Sequence, residues 1–168
     1  MLGRTEINFQ TTLLVRDTCL CLHVQRAARV LARRFDEALK PAGLTNGQFS
    51  LLMSLNRPNL PGIPRATMGS VAELLGMDRT TLTASVKTLA RRGLLKIKVD
   101  PGDRRGKFML LTSKGLAALA AATPIWTETH RQVERELHGD PEHLRNDLNA
   151  LARADAPYSP TSARAKPS

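Results

Sequence analysis

The sequence predicts a mainly α fold of the α+β winged-helix kind: a winged helix-turn-helix core with a two-strand wing, and amphipathic helices on both sides. Three features carry this. Ser70-Val71-Ala72-Glu73 has the form of a capping box, and Gly76 suits the position just past a short helix. Asp78 can cap a second helix that Gly93 ends. Leu95, Ile97 and Val99 then alternate with Lys96 and Lys98 as a half-buried strand. Asp100-Pro101-Gly102-Asp103 supplies turn chemistry, and Lys107 to Leu111 returns as the partner strand.

The flanking helices follow from the 3.6-residue period. Asp17 or Thr18 can cap a first long helix with Leu20, Val24, Ala27, Ala28, Leu31, Phe35, Ala38 and Leu39 on one stripe; Pro41 and Gly43 end it. Thr45-Asn46-Gly47-Gln48 is a capping box, and it opens a short helix with Phe49, Leu52 and Met53 inward. Arg57 to Arg65, with three prolines and a glycine, reads as a loop. Thr112 can cap a long final helix that Pro124 is expected to kink or restart, with Thr123 as a fresh cap. Gly139-Asp140-Pro141 stops the chain again before Leu144, Leu148 and Leu151 share a face. From Ala154 the composition turns to Pro, Ala and Ser, and a disordered tail is expected. The expected divisions are residues 1–41 and 113–153 for dimerisation, 42–112 for the winged core and 154–168 for the tail.

With 168 residues, the chain suits one sizeable domain with helical extensions. It lacks a run of about 18 apolar residues and a signal-peptide pattern, so a cytoplasmic protein with no membrane partner is expected. The net charge of +10 is unevenly placed. Residues 65–114 hold eleven Lys/Arg against four Asp/Glu, whereas residues 115–168 hold six against seven. A basic excess confined to one module is the electrostatic footprint of phosphate binding. The histidines and the two cysteines have no metal-ligand spacing, and no nucleophile motif or Gly-rich phosphate loop occurs. Enzyme chemistry, a metal and a cofactor are therefore not expected.

On a helix from Asp78 to Arg92, Leu82, Val86 and Leu89 fall on one side. The other side presents Thr80, Ala84, Lys87 and Arg91, flanked by Thr81, Thr83 and Thr88, with Arg79 at its edge. Small residues let such a helix enter a major groove. Threonine methyls suit thymine, and a lysine reaches guanine N7 or O6. No acidic residue lies between Asp78 and Asp100, unlike an ordinary solvated face. Beside it, Arg104, Arg105 and Lys107 sit at the tip of the ribbon, where an arginine can enter a minor groove. Asp103 is assigned to hold one of these arginines. Double-stranded DNA is the expected partner. An RNA-binding or non-specific winged-helix protein is the weaker alternative, because the chain has a single Trp and a single Tyr and hence no stacking platform.

Met77 to Thr83 (M-D-R-T-T-L-T), Arg91 to Leu95 (R-R-G-L-L), Asp100 to Arg105 (D-P-G-D-R-R) and Leu111 to Gly115 (L-T-x-x-G) resemble the MarR family of winged helix-turn-helix regulators. The upstream R-A-A-R and L-K-P-A-G-L-T-x-x-Q-F segments between Arg26 and Phe49 are similar to it too. The resemblance spans roughly residues 17–152. It implies a homodimer that represses transcription from pseudo-palindromic operators and is released by a small aromatic or phenolic effector. The family's wing Asp-x-Arg falls on Asp103 and Arg105, and a first short strand is implied near Thr67-Met68.

One branch of the family senses hydroperoxides through a cysteine early in its first helix, and Cys21 occupies that place. Gln25, Phe35 and Asn46 stand where that branch has tyrosines, and no third cysteine is available. Cys19 and Cys21, placed on one helix, would point roughly 200° apart. Cys21 is thus a redox candidate beside the reading of both cysteines as packing residues. His23, Phe35, Phe49, Trp126 and His130 come from helices that can line an effector cleft.

Overall fold

The computed structural model describes residues 7–57, 63–100 and 106–153. The expected tail from Ala154 and the wing-tip residues Asp103, Arg104 and Arg105 lie outside them. The chain divides after Thr129 into two compact units, which are taken separately. Among the described residues no helix is long and apolar enough to cross a membrane.

The first unit begins with α1 (Phe9–Thr18), whose first turn is capped by Asn8: its Oδ1 accepts from the Thr11 amide at 3.0 Å. This helix lies outside the expected set. The long helix after it, α2 (Leu20–Leu39), is therefore preceded not by a cap at Asp17 or Thr18 but by Cys19, which makes no side-chain cap. Asp17 instead pairs with Arg16 at 2.6 Å, and the Thr18 hydroxyl donates to the Leu14 carbonyl at 2.7 Å. A 3-10 turn over Lys40–Ala42 leads to α3 (Asn46–Ser54), opened by the expected Thr45/Gln48 capping box. Phe49 and Leu52 point inward as expected, but Leu51 is buried and Met53 is exposed.

Then come β1 (Ala66–Thr67), α4 (Met68–Leu75), α5 (Arg79–Arg91), β2 (Leu95–Val99), β3 (Lys107–Leu111) and α6 (Ser113–Arg135). The capping box of α4 lies one turn earlier than Ser70-Glu73. Thr67 is the cap, and Ser70 answers it by accepting from the Thr67 amide at 3.1 Å. Serine, a hydroxyl rather than a carboxylate, fills the role usually given to Glu, which hides the box in the sequence. Gly76 closes α4 at φ 59°, a left-handed conformation that a Cβ disfavours.

The sheet is antiparallel in the order β1-β3-β2, with Ala66 opposite Met109 and Leu95 opposite Leu111. β2 departs from the half-buried strand expected. Leu95 is buried, but Ile97 and Val99 are about half exposed, because the hairpin runs out beyond the core that covers its root. The core gathers Leu39, Leu51, Leu52, Val71, Leu82, Val86, Leu89 and Met109, so every helix from α2 to α5 and the sheet contribute to it.

Pro124 does not restart α6, which is assigned as one helix. The proline removes one intrahelical bond, but it sits on the exposed side. Leu119 and Ala122 before it and Ile125 and Trp126 after it pack on the same core, so the helix continues across it. Thr123 donates back to the Leu119 carbonyl at 2.7 Å instead of capping. In the second unit α6 ends, and α7 (Pro141–Arg153) starts at the expected stop, with Asp140 Oδ1 accepting from the Glu142 amide at 2.7 Å.

The start of α6 is locked to the end of the α5–β2 turn. Thr112 Oγ1 accepts from the Gly115 amide at 3.0 Å and donates to the Gly93 carbonyl at 2.7 Å. Gly115 is buried so closely that a Cβ there would lie 2.0 Å from the Leu94 carbonyl oxygen. Gly115→Ala, a change that ordinarily favours a helix, should here destabilise the protein by about 3 kcal/mol through overpacking. Urea unfolding of the two proteins measures it, and an Ala variant as stable as the parent would refute the close approach.

Candidate nucleic-acid interface

The reading face is set by what α5 buries. Leu82, Val86 and Leu89 are 0–2% exposed against the core. That fixes the rotation of the helix, and the opposite side carries Thr80, Ala84, Lys87 and Arg91, all exposed, with Arg79 and Thr81 exposed at its first turn. Thr83 and Thr88 are half-buried at its flanks. Among the described residues Arg79, Lys87, Arg91 and Lys107 make no ion pair with a carboxylate. These cations are available to an external anion.

The threonines divide into two kinds. Thr83 donates its hydroxyl to the Arg79 carbonyl at 2.6 Å, Thr88 to the Ala84 carbonyl at 3.0 Å, and Thr81 to Asp78 Oδ2 at 2.6 Å. Their protons are committed, so they offer an oxygen lone pair and a methyl outward. Thr80 makes no side-chain hydrogen bond within the described residues and keeps a donor. The helix begins on the Asp78 cap, which accepts from the Thr81 amide at 2.9 Å.

The two arginines of Arg91-Arg92 separate. Arg92 turns back, donating to Gln48 Oε1 at 2.9 Å and to the Gly43 carbonyl at 2.7 Å, and ties the end of α5 to the start of α3. Only Arg91 faces outward. In the wing, the Asp100 amide donates to the Gly106 carbonyl at 2.8 Å and closes the root of the hairpin; Lys107 is exposed where β3 starts. Asp103, Arg104 and Arg105 lie outside the described residues.

Arg65 escapes a reading of the sequence. Its guanidinium lies over the Phe108 ring, 4.8 Å from the centroid, and its Nη1 donates to Asp100 Oδ1. Arg57 likewise serves its own backbone, donating to the Ser54 carbonyl at 2.9 Å and 3.2 Å. Neither role has a sequence signature, because each partner is fixed by the fold.

Of the five cleft candidates, the structure brings Phe49 and Trp126 together, stacked with centroids 5.9 Å apart. They border an open cleft of about 360 Å³ with Ser50, Met53, Leu74 and Leu75. Phe35 is buried in α2 and His23 is exposed, its ring nitrogen 3.4 Å from the Asp17 carbonyl. His130 lies 3.1 Å from Glu134 on its own helix, in the second unit. Cys19 lies at the break between α1 and α2 with extended backbone (ψ 102°), so a single-helix angle does not relate it to Cys21. The exposed Cys21 sulfur accepts from Gln25 Nε2 at 3.1 Å, and Gln25 Oε1 accepts from Arg29 at 3.3 Å.

Comparison with known proteins decides what this interface belongs to. The MarR-family profile matches residues 42–106. The DNA complex of the Mycobacterium tuberculosis transcriptional regulator MosR is 38% identical, covering 81% of this chain and 95% of that one at a TM-score of 0.72. The chain belongs to the MarR family. The transcriptional repressor CouR bound to a 23-mer duplex is 30% identical, with 83% and 96% coverage and a TM-score of 0.70. The Escherichia coli O111:H- transcriptional regulator HosA is 29% identical over 101 residues, 60% of this chain and 71% of HosA. The protein is thus a DNA-binding transcriptional regulator on a winged-helix fold, in a family of regulators rather than enzymes.

The cap that starts the reading helix titrates. Hydrogen bonds from the Thr81 hydroxyl, and then from its amide, hold the Asp78 carboxyl below the usual carboxylate range. A lowered folded-state value means that this stabilisation is complete above the unfolded carboxylate's pKa and is lost as pH falls through the folded one. Asp78→Ala should therefore melt below the wild type at neutral pH, with the gap closing on acidification. Thermal melts across that range test this, and a gap independent of pH would show that the ionisation of the carboxyl contributes nothing.

Proposed function

We propose that the protein is a dimeric repressor that occupies a pseudo-palindromic operator and leaves it when a small aromatic or phenolic effector binds. The observation that carries the reading is the exposed cation face of α5, free of ion pairs among the described residues, beside a basic hairpin. In this reading Thr80, Thr81, Thr83, Lys87 and Thr88 meet base edges in the major groove, and Arg79 and Arg91 hold the flanking backbone. Arg104, Arg105 and Lys107 enter the minor groove, with Asp103 orienting an arginine. The repressor CouR, named above in complex with duplex DNA, supports both the partner and the sign of regulation.

Dimerisation is supported by apolar surface that neither unit covers. In the first unit, Phe9, Leu14, Leu20, Val24 and Leu31 are exposed along α1 and α2, and in the second, Leu144, Leu148 and Leu151 are exposed along α7. Such stripes call for a partner, and a two-fold copy would place two reading helices on two half-sites. The helices of residues 1–41 and 113–153 are assigned to that assembly, and residues 42–112 to DNA.

Operator binding measured over a salt series tests the DNA reading. Lys87→Ala and Arg105→Ala should each weaken binding and relax sequence preference. Arg91→Ala, which removes a phosphate contact, should weaken binding to all duplexes and lower the slope of log K against log salt by about 1. If the parent protein binds every duplex equally, specific regulation is wrong.

The effector is assigned to the cleft of Phe49, Met53, Leu74 and Trp126. Its lining has no charged side chain, and its polar side-chain groups are the hydroxyls of Ser50 and Ser54 and the indole N–H of Trp126. An uncharged phenol suits such a lining better than a carboxylate, whose desolvation would go uncompensated. Trp126 is the chain's single tryptophan, so its fluorescence reports directly on occupancy. Phenol should quench it saturably and release operator DNA over the same range. Benzoate quenching as strongly would refute the assignment.

A further inference from the structure

We propose that Arg65 is a wing-positioning residue, a strap laid across the sheet that holds the DNA-reading hairpin in its binding attitude. The strand register puts it there. Thr67 and Lys98 both lie opposite Phe108, so with the two-residue alternation of a strand Arg65, Phe108, Lys98 and Asp100 share one face of the sheet. Arg65 precedes the edge strand β1, Phe108 lies on the central strand β3, and Asp100 follows β2 on the far edge. The Arg65 side chain thus reaches across the sheet from one edge toward the other, with the Phe108 ring beneath its guanidinium and the Asp100 carboxylate at its end.

The hairpin needs such a hold. Beyond Leu95 every residue of β2 is exposed, so burial fixes neither face of the strand as it leaves the core. Among the described residues, the β2–β3 ladder, the backbone bond from Asp100 to Gly106 and the strap act on it. Asp100 is the last described residue on the β2 side of the hairpin, so an anchor there fixes the position of that strand end. Arginine alone has the planar group that can both stack on a ring and donate to a carboxylate. A lysine would keep the charge and lose this geometry.

Strapping acts on binding by ordering the wing in advance, without neutralising a phosphate. Its removal therefore lowers affinity with the salt slope unchanged, whereas removal of a phosphate ligand lowers both. Asp100 gives a second, opposite-signed test. Plain electrostatics makes Asp100→Asn bind DNA more tightly, because an anion is removed beside the phosphates; the strap makes it bind more weakly.

The experiment uses the full chain and the duplex that wild-type protein selects from a random-sequence pool, titrated at several salt concentrations. Arg65→Met should bind about tenfold more weakly, the combined size of one ion pair and one cation–π interaction. Arg65→Lys and Asp100→Asn, which each lose only part of the strap, should bind about threefold more weakly, all three with the parent's slope. Melting curves establish that each variant is folded; should Arg65→Met not fold, Asp100→Asn carries the test by its sign. The proposal is overturned if Asp100→Asn binds as well as or better than the parent. It is also overturned if Arg65→Met lowers the slope by about 1 and Arg65→Lys restores it, because Arg65 is then a phosphate ligand. The inference rests on the wing meeting DNA, and Arg105→Ala in the same series separates the two ideas. An inert Arg105→Ala sinks both, while an active one beside an inert Arg65→Met sinks the strap alone.

Discussion

The burial of Leu82, Val86 and Leu89 is the constraint that determines the rest of the reading site. Three side chains at helical spacing, essentially removed from solvent, leave α5 one rotation about its axis. Thr80, Ala84, Lys87 and Arg91 are outward because these three are inward. Turning the helix by one residue would bury a lysine and expose a leucine, and both changes are unfavourable. The same stripe explains why Arg92, next to Arg91, cannot join the outer face. It falls to the side, where the Gly43 carbonyl and Gln48 take up its guanidinium. A motif that reads as two adjacent cations is in fact one surface cation and one structural tie.

The two parts of the DNA-facing surface are held by different physics. The helix is fixed by burial, which is non-directional and strong in aggregate. The hairpin has a buried root at Leu95 and Met109 and then leaves the core, so it depends on directional interactions. Each of these is worth little when exposed. A protein that must fit a groove gains from a wing that adjusts, provided that its starting direction is set. In the proposed strap, Arg65 over Phe108 meets that condition at the described end of the hairpin.

The parts of the fold legible in the sequence are those that local chemistry decides. The Thr45/Gln48 box, the Asp78 cap, Gly76 and the buried stripe of α5 each involve residues within one or two turns, and their spacing is their signature. The α4 box lies one turn from its expected place because Thr67 and Ser70 use a serine hydroxyl where Ser70 and Glu73 offer the commoner carboxylate. Pro124 misleads for the opposite reason. Its local preference is real, but Leu119, Ala122, Ile125 and Trp126 pack on the core from both sides and override it. Arg65 and Arg92 have no local signature at all. Their partners lie 35 residues away for Arg65, and 44 and 49 residues away for Arg92. The cleft is legible only in half: Phe49 and Trp126 meet, whereas His23 and His130 make polar contacts near their own positions.

The long helix α2 shows how one apolar stripe can serve two partners. Its last turns bury Phe35 and Leu39 in the winged core, while Leu20, Val24 and Leu31 on the same periodic face remain exposed. No change of periodicity marks the transition; the core simply ends. A helix that begins in one contact and finishes in another is a rigid lever between them, since its hydrogen-bonded backbone bends little over 20 residues. In the proposed dimer, a shift at the subunit contact would therefore be felt at Leu39 and in the core cluster it shares with α3, to which Phe49 belongs. Phe49 is also the ring on which Trp126 stacks. Effector occupancy and subunit geometry would then be coupled through shared packing, because a dense core accommodates a displaced side chain by moving its neighbours rather than by compressing.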